Sequence, residues 1–212
     1  MCDSFHILTN HDSDCFDIVC YDTRNKIKEF TREVNLLPKT ALHESDINPI
    51  FRCLYDNYKG TPTPELHVAF FDIEVDFDPE RGFSRPEDPF NPITAISVYL
   101  DWMDKLVTLV LPPKSYSWET AQEICDKFDN CYLFENEKDM LDTFLDLIED
   151  ADILSGWNSE GFDIPYTIMR TQRVLSKDDT RRFCLWGQLP KQRMFERFGA
   201  EQLTFDLLGR VH

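Results

Sequence analysis

The stretch Val68-Ala-Phe-Phe-Asp-Ile-Glu-Val75 is an almost continuous apolar run that carries two carboxylates, Asp72 and Glu74. Such a run predicts a buried strand, and residues at i and i+2 of a strand point to the same face, so the two acids project together. Burying two like charges is costly, and a divalent cation is the simplest compensation. Mg²⁺ is commonly held by one or two carboxylates with waters and phosphate oxygens. Taken alone, the pair is also typical of a strand end whose acids face water.

The segments that follow this strand predict a mixed sheet covered by helices. Three consecutive antiparallel strands are expected first, joined by a tight turn at residues 101–104, and an αβαβ order follows. This order indicates an α/β domain. The predicted strands are Val68–Val75, Ile93–Leu100, Lys105–Leu111, Tyr132–Phe134 and Ile153–Trp157. The predicted helices are Trp118–Phe128 with Ser117 as cap, a second that begins after the cap Asn136, and a third from Asp163 to Leu175. A further strand is expected to start at Thr204–His212.

Residues 1–64 predict a smaller, partial β unit followed by a helix and a linker. Period-two alternation predicts strands at Phe5–Leu8, Cys15–Tyr21 and Lys26–Val34. A helical pattern follows Ser45 and Asp46, and Gly60-Thr-Pro-Thr-Pro64 is typical of a linker. The main domain is therefore predicted to span residues 65–212.

Composition narrows the class of protein. The 212 residues are 42% hydrophobic and include 17 Phe, which is ample for a packed core and excludes wholesale disorder. No apolar run approaches the roughly 20 residues of a membrane span, and the first ten residues lack the pattern of a secretory signal. Seven cysteines without a Cys-x-x-Cys pair indicate reduced thiols rather than a zinc finger. We therefore expect an intracellular protein that is neither secreted nor bound to a membrane.

The charge is unevenly distributed. The formal net charge is −17, which at first argues against a nucleic-acid ligand. Residues 166–212, however, carry a net charge of +4, and residues 1–165 carry −21. This polarity is compatible with carboxylates gathered around metal ions and a separate face that contacts an anion.

A second group of polar residues, Asn158-Ser-Glu-Gly-Phe-Asp163, lies where a predicted strand gives way to a helix. In open α/β sheets, ligands tend to bind at such junctions. Asp163 could instead be only a helix N-cap, and Asn158 only a turn residue. The combination with the acidic pair about 90 residues earlier, in the right sheet order, favours a site.

These two motifs carry a family resemblance. Phe71-Asp72-Ile-Glu74 resembles the first exonuclease motif of family B DNA polymerases, and Gly156-Trp-Asn158-Ser-Glu-Gly-Phe-Asp163-Ile-Pro-Tyr166 resembles the second. The similarity, especially to the replicative polymerases of tailed bacteriophages, covers Leu66–His212 well and is fainter over Phe16–Pro38. It implies a ribonuclease H-like fold and a 3′-to-5′ proofreading exonuclease that acts in DNA replication inside a host cell.

The resemblance also implies roles for individual residues. Asp72, Glu74 and Asp163 would bind two Mg²⁺ or Mn²⁺ ions, which can activate a water and stabilise a leaving oxygen in phosphodiester hydrolysis. Asn158 would position substrate. The expected partners are the single-stranded 3′ end of DNA, primer–template DNA, and the palm, fingers and thumb of a polymerase, in the same chain or as a split subunit.

Three further residues are candidates for substrate contact. Phe83 and Phe90, in the loop after the acidic pair, could stack on unpaired bases, although a role as core or loop anchors is an alternative. Arg170 begins a basic stretch that could follow the phosphate backbone, the alternative being a solvated helix face.

The third exonuclease motif of this family, Tyr-x-x-x-Asp, and the palm motifs have no match in the sequence. The sequence therefore predicts an N-terminal fragment of a DNA-directed DNA polymerase, whose isolated exonuclease activity is expected to be weak or absent. Two alternatives stay open at this point: a stand-alone or split ribonuclease H-like exonuclease, and a non-catalytic acidic binding module.

Overall fold

The computed structural model describes residues 4–7, 16–19, 32, 36, 49–197 and 199–211. The chain forms two compact units, Met1–Pro64 and Glu65–His212. In the first unit, β1 (Ser4–Ile7) pairs antiparallel with β2 (Phe16–Val19), and α1 spans Pro49–Tyr58. Of the predicted strand Lys26–Val34 only Arg32 is described, and its backbone is helical rather than extended.

The second unit is built on a mixed sheet, which confirms the predicted α/β class. Its strands are β3 (Val68–Val75), β4 (Ile93–Leu100), β5 (Lys105–Val110), β6 (Cys131–Leu133) and β7 (Ile153–Ser155), arranged in the order β6-β5-β4-β3-β7. The central three are antiparallel neighbours, whereas β6 is parallel to β5 and β7 is parallel to β3. The mixed sheet flanked by helices is consistent with the ribonuclease H-like prediction.

Two helices of this unit begin at residues that cap them with a side-chain hydrogen bond. Ser117 Oγ accepts a hydrogen bond from the Thr120 N–H before α2 (Trp118–Cys125), and Asn136 Oδ1 accepts one from Asp139 before α3 (Glu137–Leu147). The third helix, α4, spans Asp163–Val174. No helix in the part of the chain that the structure describes is long and apolar enough to cross a membrane.

One face of the sheet forms the core. Ala69, Phe71 and Ile73 alternate with exposed residues along β3, and the Phe71 ring lies 5.3 Å from that of Phe144 on α3. The same apolar cluster includes residues of β4, β5, β7, α3 and α4 and of the chain after α4. The opposite positions of β3, including Asp72 and Glu74, are therefore exposed, as the period-two pattern predicts.

The C-terminal region differs from the prediction. The sequence predicts only one strand in this region, beginning at Thr204. The structure has an antiparallel hairpin formed by β8 (Lys191–Arg197) and β9 (Ala200–Asp206). The hairpin turns at Gly199, whose φ of +76° is readily adopted only by glycine. After β9 the chain turns back, and Val211 bridges in parallel to Ile153 of β7.

A buried tyrosine fixes the loop that follows β3. Tyr166 on α4 is fully buried, and its hydroxyl donates to the backbone oxygen of Asn91 at 2.8 Å and bonds to the hydroxyl of Ser84. The Asn91 side chain in turn donates to the Gly82 carbonyl at 3.0 Å. The loop between β3 and β4 is thus held against α4, on which Asp163 also lies.

Candidate active site

An open cleft of about 830 Å³ lies where the parallel strands β3 and β7 end. Ligand sites are common at the carboxyl ends of the strands of such sheets. The cleft is lined by Asp72, Ile73, Glu74, Ser155, Gly156, Trp157, Asn158, Ser159, Glu160, Phe162 and Asp163. The structure therefore brings together Asp72, Glu74, Asn158 and Asp163, four of the residues singled out in the sequence.

The acidic pair lies at the point where β3 loses its regular pairing. Asp72 is opposite Ser97 and Glu74 opposite Ala95, and the register shifts between Glu74 and Val75. Such irregularities redirect the strand and the side chains beside them. Both carboxylates are exposed and belong to the face of β3 that the core does not cover.

Asp163 reaches the site from α4 and is not the N-cap of that helix. The N-cap position is Phe162, without a side-chain capping bond. Asp163 is 4% exposed, and its Oδ1 accepts a hydrogen bond of 3.2 Å from the N–H of Ile73. β7 pairs with β3 only as far as Phe70, so its backbone does not reach the Ile73 N–H. The Asp163 carboxylate accepts the hydrogen bond from that N–H group instead. This bond joins the first turn of α4 to the strand segment between Asp72 and Glu74.

The electrostatics of the site favour a cation. Burial raises the pKa of Asp163 to about 6, and the negative charges of Asp72 and Glu74 add to this rise, while the Ile73 N–H opposes it. No Lys or Arg lines the cleft among the residues that the structure describes. A divalent cation would offset this accumulation of negative charge.

The donor set suits Mg²⁺ or Mn²⁺, since carboxylate oxygens are the ligands these hard ions prefer. Within the described ranges, no three Asp, Glu, His or Cys side chains are close enough together to form a ready metal site. The residues that could hold a cation are those of the cleft, Asp72, Glu74 and Asp163, because they combine the required chemistry with a common opening.

Gly156 allows the two sides of the cleft to approach. A Cβ atom at this position would lie 2.4 Å from the backbone oxygen of Phe71 and 3.2 Å from Cβ of Ser159. Phe71 directly precedes Asp72, so the close approach sets the position of the acidic pair relative to the β7–α4 turn. Only glycine permits this packing without a shift of the backbone.

We expect Gly156→Ala to lower the free energy of unfolding by about 2 kcal/mol, because overpacking against a fixed backbone oxygen forces strands apart. Urea denaturation followed by circular dichroism measures the loss. Gly161→Ala is the matched control, since its Cβ would meet the end of the Asn158 side chain at 3.0 Å rather than backbone. Equal stability of the two variants would contradict the proposed role of Gly156.

Asn158 combines a turn role with a place in the cleft. Its φ of 55° lies in the left-handed region, which Asn tolerates better than most residues. Its carbonyl accepts hydrogen bonds from the N–H groups of Gly161 at 3.0 Å and Phe162 at 3.2 Å. The residue therefore shapes the turn into α4, and its exposed side chain lines the cleft.

Phe83 and Phe90 lie outside the carboxylate cleft, around a separate cavity of about 490 Å³ with Arg85, Asp88 and Met194. Phe83 is 77% exposed and contacts Phe77 edge to face at 4.9 Å. Phe90 is half-buried, and the Arg81 guanidinium lies 3.6 Å above its ring. Phe83 thus presents an accessible ring, whereas one face of Phe90 is covered.

Arg170 also lies away from the cleft. Its Nε and Nη2 donate to Glu137 of α3 at 2.7 and 2.5 Å, and its Nη1 donates to the Pro89 carbonyl at 2.9 Å. Both side chains of the pair are largely buried, at 11% and 8% exposed. This arrangement favours a structural role for Arg170 over the predicted substrate contact. The sequence did not indicate it, because Glu137 is 33 positions away.

The cleft residues that were not predicted as site residues include Trp157, Glu160 and Phe162. Phe162 packs its ring against Tyr166 at a centroid distance of 5.3 Å. The only available signal was their place inside the second motif, since neither an aromatic nor an acid in a turn indicates chemistry by itself.

Comparison with known proteins assigns the chain to a family. Residues 40–201 match the family model of the exonuclease domain of DNA polymerase family B. The chain is 34% identical over 88 residues to the DNA-directed DNA polymerase of Enterobacteria phage T4, covering 40% of this chain and 10% of that protein. It is 32% identical over 139 residues to that of Escherichia phage RB69, covering 56% and 15%.

A more distant relative is the DNA polymerase catalytic subunit of human herpesvirus 8, 29% identical over 150 residues, or 66% of this chain and 14% of the viral protein. The alignments thus take in only 10% to 15% of the length of these relatives. The family match covers well over half of this chain and includes the acidic pair, the strand-to-helix turn and Asp163. This chain belongs to DNA polymerase family B and carries the exonuclease domain of that family.

Proposed function

We propose that this chain supplies the 3′-to-5′ exonuclease of a DNA-directed DNA polymerase, hydrolysing the 3′-terminal phosphodiester of DNA for proofreading during replication. The observation that carries the proposal is the meeting of Asp72, Glu74 and Asp163 in one cleft, with Asp163 held to β3 through the Ile73 N–H. Family membership supports the same reaction class.

The chain's own residues would bind and orient the reactants. Two divalent cations would be held by three carboxylates. Asp72 and Glu74 lie on the same face of β3, and Asp163 lies on α4. Those ions would supply Lewis acidity and lower the pKa of the attacking water. The burial of Asp163 and its hydrogen bond from the Ile73 N–H limit the movement of that carboxylate, which would help to hold a cation in a fixed position relative to β3. Asn158, at the rim of the cleft, would position the substrate.

The substrate would be the single-stranded 3′ end of DNA, delivered from a primer–template. Phe83 offers an exposed ring on the loop after β3 and could stack on an unpaired base. Phe90 could contribute only through the part of its ring that Arg81 leaves accessible. The palm, fingers and thumb of the polymerase, in the same chain or in another subunit, would be the protein partners.

The direct test is degradation of a single-stranded oligodeoxynucleotide labelled at its 5′ end, with Mg²⁺ or Mn²⁺ at high protein concentration. We expect label-bearing products that shorten stepwise from the 3′ end. The double variant Asp72→Asn/Glu74→Gln is expected to lower this rate at least about 100-fold, since the ligands are removed without a large change of shape. A parallel Mn²⁺ titration measures ion binding without turnover.

The control is Asp76→Asn, two positions further along the same alternation but outside the cleft. Its carboxylate accepts a hydrogen bond from the Phe77 N–H, which an Asn oxygen can also accept. Degradation that survives in the double variant, or that starts from the 5′ end, would contradict the proposal. Absence of both Mn²⁺ binding and metal-dependent degradation would favour the non-catalytic acidic module.

A further inference from the structure

A further cavity, of about 470 Å³, lies between α2 and the edge of the sheet that β5 and β6 form. Most of its wall is apolar and includes Val110, Ile124 and Phe128. Two cysteines, Cys125 and Cys131, line the same cavity. The carboxylate cleft lies across the sheet, at β3 and β7, so the proposed exonuclease chemistry leaves these thiols unused.

The turn between α2 and β6 brings the two cysteines together. Cys125 is the last residue of α2, and Cys131 is the first residue of β6. The Phe128 N–H donates to the Cys125 carbonyl at 2.9 Å, and the Cys131 N–H donates to the Phe128 carbonyl at 3.4 Å. The two thiols interact through a hydrogen bond. A disulfide needs Cβ atoms about 4 Å apart, so neighbouring thiols reach that geometry with little movement of the backbone.

The surroundings of the two thiols favour a slow reaction with an oxidant over rapid catalysis. Cys125 is buried, whereas Cys131 is only partly buried and can be reached from solvent. Burial raises the pKa of Cys131 to about 12, and the adjacent Cys125 thiol adds to this rise. The thiolate is the reactive form, so the pair stays reduced unless an oxidant persists.

We propose that Cys125 and Cys131 are a reversible oxidation site, at which glutathione disulfide or another small disulfide converts the two neighbouring thiols to an intrachain disulfide. One protein thiolate attacks the S–S bond of glutathione disulfide, which gives a mixed disulfide and releases one glutathione. The second protein thiolate attacks the protein sulfur of this mixed disulfide and releases the second glutathione. Two protein thiols are thus oxidised, one glutathione disulfide is reduced, and the two thiol protons pass to the two glutathiones.

The disulfide would join the end of α2 to the edge strand β6. A cross-link that fits the native geometry stabilises a fold mainly by restricting the unfolded chain. We therefore expect oxidation to raise the midpoint of thermal unfolding by about 5 °C. Because β6 and the carboxylate cleft lie on opposite sides of the sheet, Mn²⁺ binding at the cleft is expected to stay unchanged.

The test is peptide mapping of the 212-residue chain after incubation with glutathione disulfide. The remaining thiols are alkylated in denaturant, and the chain is digested with trypsin. Lys127 lies between the two cysteines, so cleavage gives the peptides 115–127 and 128–138, each with one cysteine. We expect mass spectrometry to find them joined, lighter by two hydrogen atoms than their sum and separated again by dithiothreitol. The cross-linked chain should run as a monomer on a non-reducing gel.

Cys184 provides the matched control, since it is as buried as Cys125, at 5% exposed, but does not line the cavity. Burial also raises the pKa of the Cys184 thiol. We expect Cys184 to be recovered alkylated from the oxidised chain. Cys131→Ser should abolish both the joined peptides and the rise in the unfolding midpoint, whereas Cys184→Ser should retain both.

Three results would overturn the proposal. The first is recovery of the peptides 115–127 and 128–138 only in alkylated form or as mixed disulfides with glutathione. The second is joined peptides that occur only in covalent dimers, because the link would then be between chains. The third is an unfolding midpoint that does not rise on oxidation, which would show that the native geometry does not fit the cross-link.

Discussion

A Glu137→Gln substitution is expected to lower the free energy of unfolding by about 3 to 5 kcal/mol, because it leaves the buried charge of Arg170 without its counter-ion. The amide would retain one acceptor oxygen for the Ile93 N–H and for Arg170 Nε, which Glu137 Oε1 now serves at 2.9 and 2.7 Å. Its NH₂ group, however, would face Arg170 Nη2, so that two donors meet where a charge-assisted bond exists now.

Urea denaturation of the wild type, Glu137→Gln and an exposed control measures this effect. Asp88→Asn is the control, since Asp88 pairs with Arg81 and Arg173 at the surface, and exposed pairs contribute about 0.2 to 1 kcal/mol. A loss for Glu137→Gln no larger than that of Asp88→Asn would show that the buried pair does not hold the fold.

The same ion pair connects Arg170, which does not line the cleft, to the loop beside it. Glu137 begins α3 and binds the first N–H of β4, and Arg170 lies on α4 and binds the Pro89 carbonyl. One buried pair thus joins α3, α4, β4 and the loop that follows the acidic pair. Weakening it is expected to loosen the loop that carries Phe83.

Most of the sheet and its helices could be predicted because their signals are local. Ser117 and Asn136 cap helices through bonds to residues three positions later, and the alternation along β3 separates core positions from the acids. The hairpin formed by β8 and β9 was missed because β8 is polar and largely exposed, so that period two gives no apolar face.

The sequence predicts those features of the site that depend on a single strand or a single turn. It does not predict the contacts between different elements. Asp72 and Glu74 share a face because of strand geometry alone. The bond from Ile73 to Asp163 depends on where β7 stops, which is a property of the folded sheet. The pairing of Arg170 with Glu137 is equally non-local, and a charged helix residue looks the same in sequence whether it binds phosphate or a carboxylate.

The second large effect concerns Asp163, whose substitution by Asn is expected to stabilise the metal-free protein while removing its response to divalent ions. The pKa of this carboxyl rises from 3.8 to about 6 on folding, mainly through burial. Above pH 6 the folded protein therefore holds an ionised group at a cost of about 2 to 3 kcal/mol, which a neutral amide avoids. The amide oxygen can still accept the Ile73 N–H.

The stability difference between Asp163→Asn and the wild type is expected to depend on pH. In EDTA, Asp163→Asn should be more stable than the wild type above pH 6, and the difference should shrink as pH falls through 6 and disappear below 3.8, where the carboxyl is protonated in both folded and unfolded chains. Thermal unfolding between pH 4 and pH 8 measures the difference. A constant difference across this range would contradict the assignment.

Divalent ions should reverse the order of the two proteins. A cation that binds only the folded state stabilises it by mass action, and it also compensates the charge that destabilises the metal-free wild type. Mn²⁺ is therefore expected to raise the unfolding midpoint of the wild type and of Asp76→Asn but not that of Asp163→Asn. Equal stabilisation of all three would place the ion elsewhere. A carboxyl that behaved in this way would have a role in ion binding, because packing alone would favour the amide.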